Sequence, residues 1–469
     1  MKKRVVSMIL TATLCAGLLA GCGDSPANSS SEPSATGSSQ TGEQSSAPEE
    51  SGTEEGTGTE DETAGDGQWH YTDVDTLENP NVTIALYWDA YNEDGSYNTK
   101  NYAYPIGQAI EAFEEKYGGT VTIQAVGWNK GANAIAESLE TGDSIDLVFT
   151  EGNKRFPGDA VSELYLPIDA YLDYNVCDAA SVDAFLYKGE HYVYTNASIT
   201  QPYLLFYNVT MFEEESLETP TELYNKGEWT YDKLLEYITY FTRDTDGDGQ
   251  VDQWGLEPSR VKRQNIGYAN DAMQVYEVGN GELAASIDTP EMIQYYEFLT
   301  AYAAIPGARE GCDTDGQWVE RRVCAMMSEA NIAAWLPGGE GYEGSDKFDF
   351  VPLPTYDGRQ ATTPVWDNGF ALSASATNPE GAAVLASMIC QYAKDAGTQE
   401  LEKLCDAEQI ERLNTIMTKI IPQRREYEGV SVGAGEGEAQ EGTPAQTIIE
   451  TYKSQLEGEV EAYNAALQK

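Results

Sequence analysis

Apolar positions along the first part of the chain switch between two rhythms. Val82-Thr-Ile-Ala-Leu-Tyr87 is a short, largely apolar run, the pattern of a strand buried on both faces. Ile106, Ala109, Ile110, Phe113 and Tyr117 then recur at helical spacing, and Gly118-Gly119 ends that helix. Residues 121–126 predict a second strand, 132–139 a short helix, and 145–149 a third strand. This β-α-β-α-β order predicts a mostly parallel sheet covered on both faces. Farther on, 203–207 reads as a strand. Thr230 caps a helix that carries Leu234, Leu235, Ile238 and Phe241. Thr289, followed by Pro290, opens another helix. Asn378-Pro379 opens a third, with Ala382, Leu385, Ala386 and Ile389 inward. Ile448, Tyr452, Leu456, Val460, Tyr463 and Leu467 mark a last amphipathic helix. The Gly/Glu-rich stretch 427–444 predicts a mobile loop, and no internal repeat is present.

The first 67 residues follow neither rhythm. Lys2, Lys3 and Arg4 precede an apolar stretch, Val5 to Ala20, that falls short of the roughly 20 residues a membrane span needs. Leu19-Ala20-Gly21-Cys22 resembles the bacterial lipobox. That resemblance implies a signal peptide over 1–21, cleavage before Cys22, and lipid on its sulfur and new amino group. Residues 23–67 hold Ser, Thr, Gly, Pro and acidic side chains, with no Lys, Arg or aromatic residue. Such a segment has nothing to bury and predicts a disordered, self-repelling tether. With several acyl chains the anchor is stable. The expected location is the extracellular face of the bacterial cell membrane, with a globular body over 68–469. No later run of 18 apolar residues predicts a second membrane contact.

Composition narrows the function classes. The 469 residues suffice for about two to three domains, and 41% are hydrophobic, with 30 Tyr and 8 Trp, so a large core is available. Against 28 Lys+Arg stand 78 Asp+Glu, a net charge of -50. That charge repels phosphate backbones and argues against nucleic-acid binding. Only His70 and His191 occur, which excludes histidine-rich metal sites and leaves little room for Ser/His/Asp or Cys/His catalysis. There is no CxxC pair among the 7 cysteines. Cys15 leaves with the signal and Cys22 takes lipid, so Cys177, Cys312, Cys324, Cys390 and Cys405 remain, an odd set. Cys312 with Cys324 and Cys390 with Cys405 are close enough in sequence to pair, and buried free thiols fit equally well.

Several short pieces then occur in a recognisable order. Phe113-Glu-Glu-Lys-Tyr-Gly118 is followed by Gly142-Asp-Ser-Ile-Asp-Leu-Val-Phe149 and Leu164-Tyr-Leu-Pro-Ile-Asp169. Tyr207-Asn208, Met211-Phe212, Ala325-Met326, Pro352-Leu-Pro354, Gly369-Phe-Ala-Leu-Ser373 and Asn378-Pro-Glu-Gly-Ala-Ala383 come after. Across residues 80–400 the set resembles the extracellular solute-binding proteins of ABC importers, the group that includes the maltose- and oligosaccharide-binding proteins. The resemblance implies a periplasmic-binding-protein-like α/β fold of two lobes joined by a hinge. Lobe one is expected at about 80–196 plus 356–398, and lobe two at about 197–355 plus 399–469. It also implies a monomer that closes on a carbohydrate ligand and delivers it to the transmembrane permease subunits of an ABC transporter.

A cleft is expected on physical grounds as well, because ligands of open α/β sheets sit beyond the carboxyl ends of strands. Three stretches end or begin a strand with aromatic and polar residues. They hold Trp88 and Asp89, Glu151 and Lys154, and Trp366 and Asp367. Indole and phenol rings cover the C–H faces of sugars, while carboxylates and amides take the hydroxyls. Trp335 joins the set through the family resemblance, which places a stacking aromatic after Ala325-Met326. A packing role for each Trp, and a solvated loop for each charge, stays open. Trp128 fits either role, Trp229 and Trp254 read as packing residues, and the loop at Tyr268-Ala-Asn270 is a further candidate for the cleft.

Asp244-Thr-Asp246-Gly-Asp248-Gly249-Gln250-Val-Asp252 is the sharpest local motif. Ca²⁺ takes roughly six to eight hard oxygen ligands, which this spacing supplies from Asp244, Asp246, Asp248, the Gln250 carbonyl and Asp252. Position 12 of the motif is Gly255 instead of Glu, and Glu257 or water is left to fill it. The role expected for the ion is structural, outside the cleft.

Binding without covalent chemistry is therefore the leading expectation. A cell-surface glycoside hydrolase is the rival, since carboxylates are plentiful, but no motif pairs two of them at roughly 5–9.5 Å. A binder of the same fold with a ligand other than sugar is the third possibility.

Overall fold

The computed structural model describes residues 68–468 except 97, 99–104, 129, 152–155, 197–201, 258–259, 310–321, 331, 333–335, 337–343, 366–367, 423–426 and 428. The signal peptide, Cys22 and the tether lie outside the described residues. So do Lys154, Cys312, Trp335, Trp366 and Asp367.

In chain order the first strands are β1 (Val82–Leu86), β2 (Val121–Ala125), β3 (Leu147–Glu151), β4 (Tyr165–Leu166), β5 (Leu186–Tyr187), β6 (Glu190–His191) and β7 (Val193–Tyr194). Then come β8 (Leu204–Asn208), β9 (Trp254–Leu256), β10 (Val275–Gly279), β11 (Glu282–Ala285), β12 (Cys324–Glu329) and β13 (Phe348–Val351). β14 (Thr363–Val365), β15 (Asn368–Ser373) and β16 (Ile420–Pro422) complete the set.

Local signals set most helix ends. Gly118 stops the helix Ile106–Tyr117 in a left-handed conformation at φ 76°. Thr230, Thr289 and Asn378 each accept a backbone N–H of the helix they open. β3 starts two residues later than its apolar run suggests, because Asp146 serves another purpose. Its buried carboxylate takes the backbone N–H groups of Thr83, Thr377 and Asn378 at 2.8–3.0 Å. One side chain thus ties β1, the entry to β3 and the start of the helix Pro379–Leu404.

Two sheets form, one per lobe. The first runs β2-β1-β3-β15-β4, with β7 also on β15. β1 is parallel to β2 and β3, whereas β15 is antiparallel to β3, β4 and β7, so the sheet is mixed where a mostly parallel one was expected. The second sheet runs β13-β8-β12-β9, with β8 antiparallel to both neighbours and β12 parallel to β9. The chain passes between the sheets three times. It does so from β7 to β8, from β14 to β15, and along the helix Pro379–Leu404 into the helix Ala407–Ile416. β14 pairs with β16, and Val365 bridges Pro202. The long helix buries Ala382 to Ile389 in the first core, while Leu401 and Leu404 pack beside Leu204, Phe206 and Phe350 of the second.

Three expectations need correction. Lobe one does not resume at 356: Tyr356 and Ala361 pack on the second lobe's core and Thr362 N–H bonds Ala269 O, so the return comes at Asn368. The 427–444 stretch is packed. Its helix Glu436–Gln440 buries Ala439, and the side-chain oxygen of Gln274 accepts from Gly433 and Ala434. Glycine is needed there because a Cβ on Gly435 would lie 2.1 Å from Ile448. Cys390 and Cys405 cannot pair, since they sit in different cores, roughly 22 Å apart along one helix. Cys390 instead lies near Cys177 in lobe one, where Asn196 donates to the carbonyls of both Val176 and Cys390.

Candidate functional site

The carboxyl ends of β1, β2 and β3 share one edge of the first sheet. Val126 N–H bonds Leu86 O at 2.8 Å, which keeps the exits of β1 and β2 side by side. Gly131 lets the next helix start hard against β3, where a Cβ would be 2.5 Å from Val148.

An aromatic ledge occupies this edge. The Trp88 ring meets Phe149 at 4.4 Å and Tyr87 at 4.3 Å, both edge-to-face, and Tyr87 meets Phe149 at 5.6 Å. Phe149 rests in turn on Phe370 of β15. Trp88 is half-buried against the first core, whereas Tyr87 is 38% exposed. Trp88 is therefore a packing residue of the first core, and Tyr87, which begins the same candidate stretch, offers the more open face. Asp89 is exposed, and its carbonyl accepts from the Asn98 amide, which closes the loop. Trp128 leaves the end of β2 with 57% of its surface exposed.

The backbone of Glu151 ends β3 opposite Asn368, the first residue of β15. Next to it lies a polar cluster not foreseen from sequence. Tyr165 Oη lies 3.0 Å from both Thr150 Oγ1 and buried Asp159 Oδ2. Asp159 stands in an unremarkable Gly-Asp-Ala-Val turn, so no local signal marks it. The remaining candidates, Lys154, Trp335, Trp366 and Asp367, are outside the described residues. Asn270 is no cleft residue: it is fully buried and its amide serves Ile266 O, Pro354 O and Tyr356 N–H. Trp229 and Trp254 spend their indole N–H groups on Pro352 O and Gly307 O.

The Asp/Gly loop sits elsewhere. It joins the helix Tyr231–Phe241 to the first residue of β9, at the sheet edge away from the carboxyl ends of β9 and β12. Oxygens of Asp244, Asp246 and Asp252 lie within 4.8 Å of one another. The N–H groups of Gly249 and Gly247 point at Asp244 and hold its carboxyl below the usual range. Asp252 accepts from the N–H and hydroxyl of Thr245. Asp248 does not join the three; its carboxylate accepts from the backbone and side chain of Gln250. Gly255, at position 12, lies in β9, where a Cβ would be 2.3 Å from Ile238 Cα. Packing of β9 on the preceding helix thus forbids the usual twelfth ligand. Three converging hard oxygens still suit a divalent cation of the calcium type.

Comparison with known proteins adds to this geometry. A family model described as bacterial extracellular solute-binding protein matches residues 108–400. Among curated proteins no sequence match is found. The maltose/maltodextrin-binding domain of Bdellovibrio bacteriovorus, bound to maltotriose, aligns with a TM-score of 0.54 at 17% identity, over 83% of this chain and 98% of that one. A solute-binding protein of Thermotoga lettingae bound with α-D-tagatose gives 0.56 at 18%, over 84% and 99%. A Mycobacterium tuberculosis protein in complex with glycerophosphocholine gives 0.55 at 14%, over 76% and 94%. Such identities speak for a shared two-lobed fold. Since the family match spans well over half of the chain, this protein belongs to the bacterial extracellular solute-binding proteins.

Proposed function

We propose that the chain captures a carbohydrate between its lobes and hands it to the permease of an ABC transporter, while lipid on Cys22 holds it at the outer face of the membrane. The observation that carries this reading is the aromatic ledge of Tyr87, Trp88 and Phe149 at the carboxyl edge of the first sheet. Its ring faces suit the C–H face of a pyranose, and Asp89 suits the hydroxyl rim. Glu151, Lys154, Trp335, Trp366 and Asp367 complete the proposed contact set. Ligand that touches both lobes favours the closed state, so hinge closure is the whole mechanism and the working unit is a monomer. The sugar ligands of several solved proteins of this fold support the reading. The Asp244–Asp252 loop is proposed to take Ca²⁺ through Asp244, Asp246 and Asp252, with a structural role in lobe two.

The test is thermal unfolding against mono- and oligosaccharides, each with Ca²⁺ and with chelator. A ligand bound only by the folded chain raises the melting temperature by mass action. One sugar class is expected to do so. If none does, the carbohydrate assignment falls, and glycerophosphodiesters and polyols follow. If chelator leaves the curve in place, the loop is only a turn.

A further inference from the structure

Two cysteines far apart in sequence meet in the core of the first lobe. Cys177 ends a tight turn in which the N–H groups of Val176 and Cys177 both reach Asp173 O, at 3.2 and 3.0 Å. Cys390 stands in the helix Pro379–Leu404. The turn runs along that helix: Lys394 Nζ donates to Asn175 O at 2.9 Å. Asn196 Nδ2 donates to Cys390 O at 2.7 Å and to Val176 O at 3.4 Å. A single amide nitrogen therefore joins the two backbones at the cysteines themselves. Just beyond the turn, Asp178 N–H bonds Thr195 O at 3.3 Å, so the turn is held from both sides.

The side chains point into the same place. Both cysteines belong to the first core, with 4% of Cys177 and 0% of Cys390 exposed. Their thiols hydrogen-bond to each other. Sulfurs in contact on two backbones held side by side are the starting geometry of a disulfide. Such a buried, apolar setting suits a permanent bond better than a reactive thiolate. The family to which the chain belongs works outside the cell, where disulfides form and persist.

We propose that Cys177 and Cys390 form a disulfide as the chain folds outside the cell, fastening the turn at Asp173–Cys177 to the helix that runs on into lobe two. The co-reactant is a low-molecular-weight disulfide of the glutathione type. One cysteine thiolate attacks it and expels the first small thiolate. The second cysteine thiolate then displaces the other from the mixed disulfide. Two protein thiols and one small disulfide thus give one protein disulfide and two small thiols. Burial closes both cysteines to reagents in the folded chain, so the exchange belongs to folding. The bond closes a loop of about 200 residues, which restricts the unfolded chain strongly. Both of its ends lie in lobe one, so it leaves lobe movement free.

The test is peptide mass spectrometry on the full chain, reduced in urea and then refolded in a buffer of glutathione and its disulfide. Iodoacetamide is added in fresh urea before any reductant. The expected product is lighter by two hydrogens and yields a linked Cys177–Cys390 peptide. Cys324 and Cys405 are alkylated at once, Cys177 and Cys390 only after reduction. The oxidised chain should also melt higher than the reduced one, and Cys390→Ala should abolish that difference. Alkylation of Cys177 and Cys390 without reductant overturns the proposal, as does a bridge from either of them to any other cysteine. No sugar is present, so failure here leaves the carbohydrate assignment untouched.

Discussion

Arg412 Nη2 lies 2.5 Å from Asp349 Oδ1, and only 5% of the arginine side chain is exposed. The pair fixes the helix Ala407–Ile416 to β13. Asp349 also accepts from Thr221 Oγ1 at 2.7 Å and Gln409 Nε2 at 2.9 Å, and lies 3.3 Å from Tyr207 Oη. The guanidinium rests over the ring of Phe350 at 5.2 Å. Since this helix follows directly on the one that spans both lobes, the pair fastens the far end of a crossover.

Arg412→Met should therefore destabilise the second lobe by about 3 kcal/mol, because it strands the Asp349 charge among neutral donors. Urea unfolding of both chains checks this. A loss under about 0.5 kcal/mol would mean that water reaches the pair.

Tyr87→Ala should lower the melting temperature of the ligand-free chain less than Trp88→Ala does, because 38% of Tyr87 is exposed. It should weaken binding of any sugar found in the thermal screen about tenfold. Trp88→Ala should lower both affinity and stability, because that ring lies closer to Phe149, at 4.4 Å, and packs on the first core. Titration calorimetry beside the thermal scans separates the two effects.

Acid should destabilise the chain with a definite sign. Two glycine N–H groups hold Asp244 below its ordinary value, and the Lys453 ammonium does the same for Asp288. Depressed carboxyls stabilise fully above the unfolded value near 4, and that contribution disappears as pH falls through the folded values. Urea midpoints should thus drop between about pH 4 and 2, and less steeply in Asp288→Asn.

In the reduced chain the four thiols among the described residues, all buried, should be inert. Burial pushes the Cys405 thiol up to about 12. A hydrogen bond with Cys177, then burial, raises Cys390 well above the usual thiol range. Iodoacetamide at pH 8.5 should leave Cys177, Cys324, Cys390 and Cys405 unmodified in the folded chain and alkylate all four in urea, as read by peptide mass spectrometry.

Much of this protein was legible in its residues one neighbourhood at a time. Gly118, Thr230, Thr289 and Asn378 end or open helices through bonds to residues three or four positions away, so their effect is local. The apolar runs at 82–86 and 204–208 are buried on both faces wherever a covered sheet puts them. The Asp/Gly loop is equally self-contained, and even its departure at Gly255 is visible, although the reason, Ile238 beneath it, is not.

What the tertiary structure decided involves partners far apart in sequence. Whether 356–365 belongs to one lobe or the other depends on Ala269 and β16, not on its own composition. Gly435 is packed, not mobile, because Ile448 lies against it. Tyr87 became a ledge residue only once Phe149, on a different strand, was beneath it, and Asp159 a buried group only once Tyr165 covered it. The residues alone determined the elements and their ends, because caps, turns and periodicity act within a few positions. The fold decided the lobe boundary and the ledge, because side-chain packing takes its meaning from whatever the chain brings back against it.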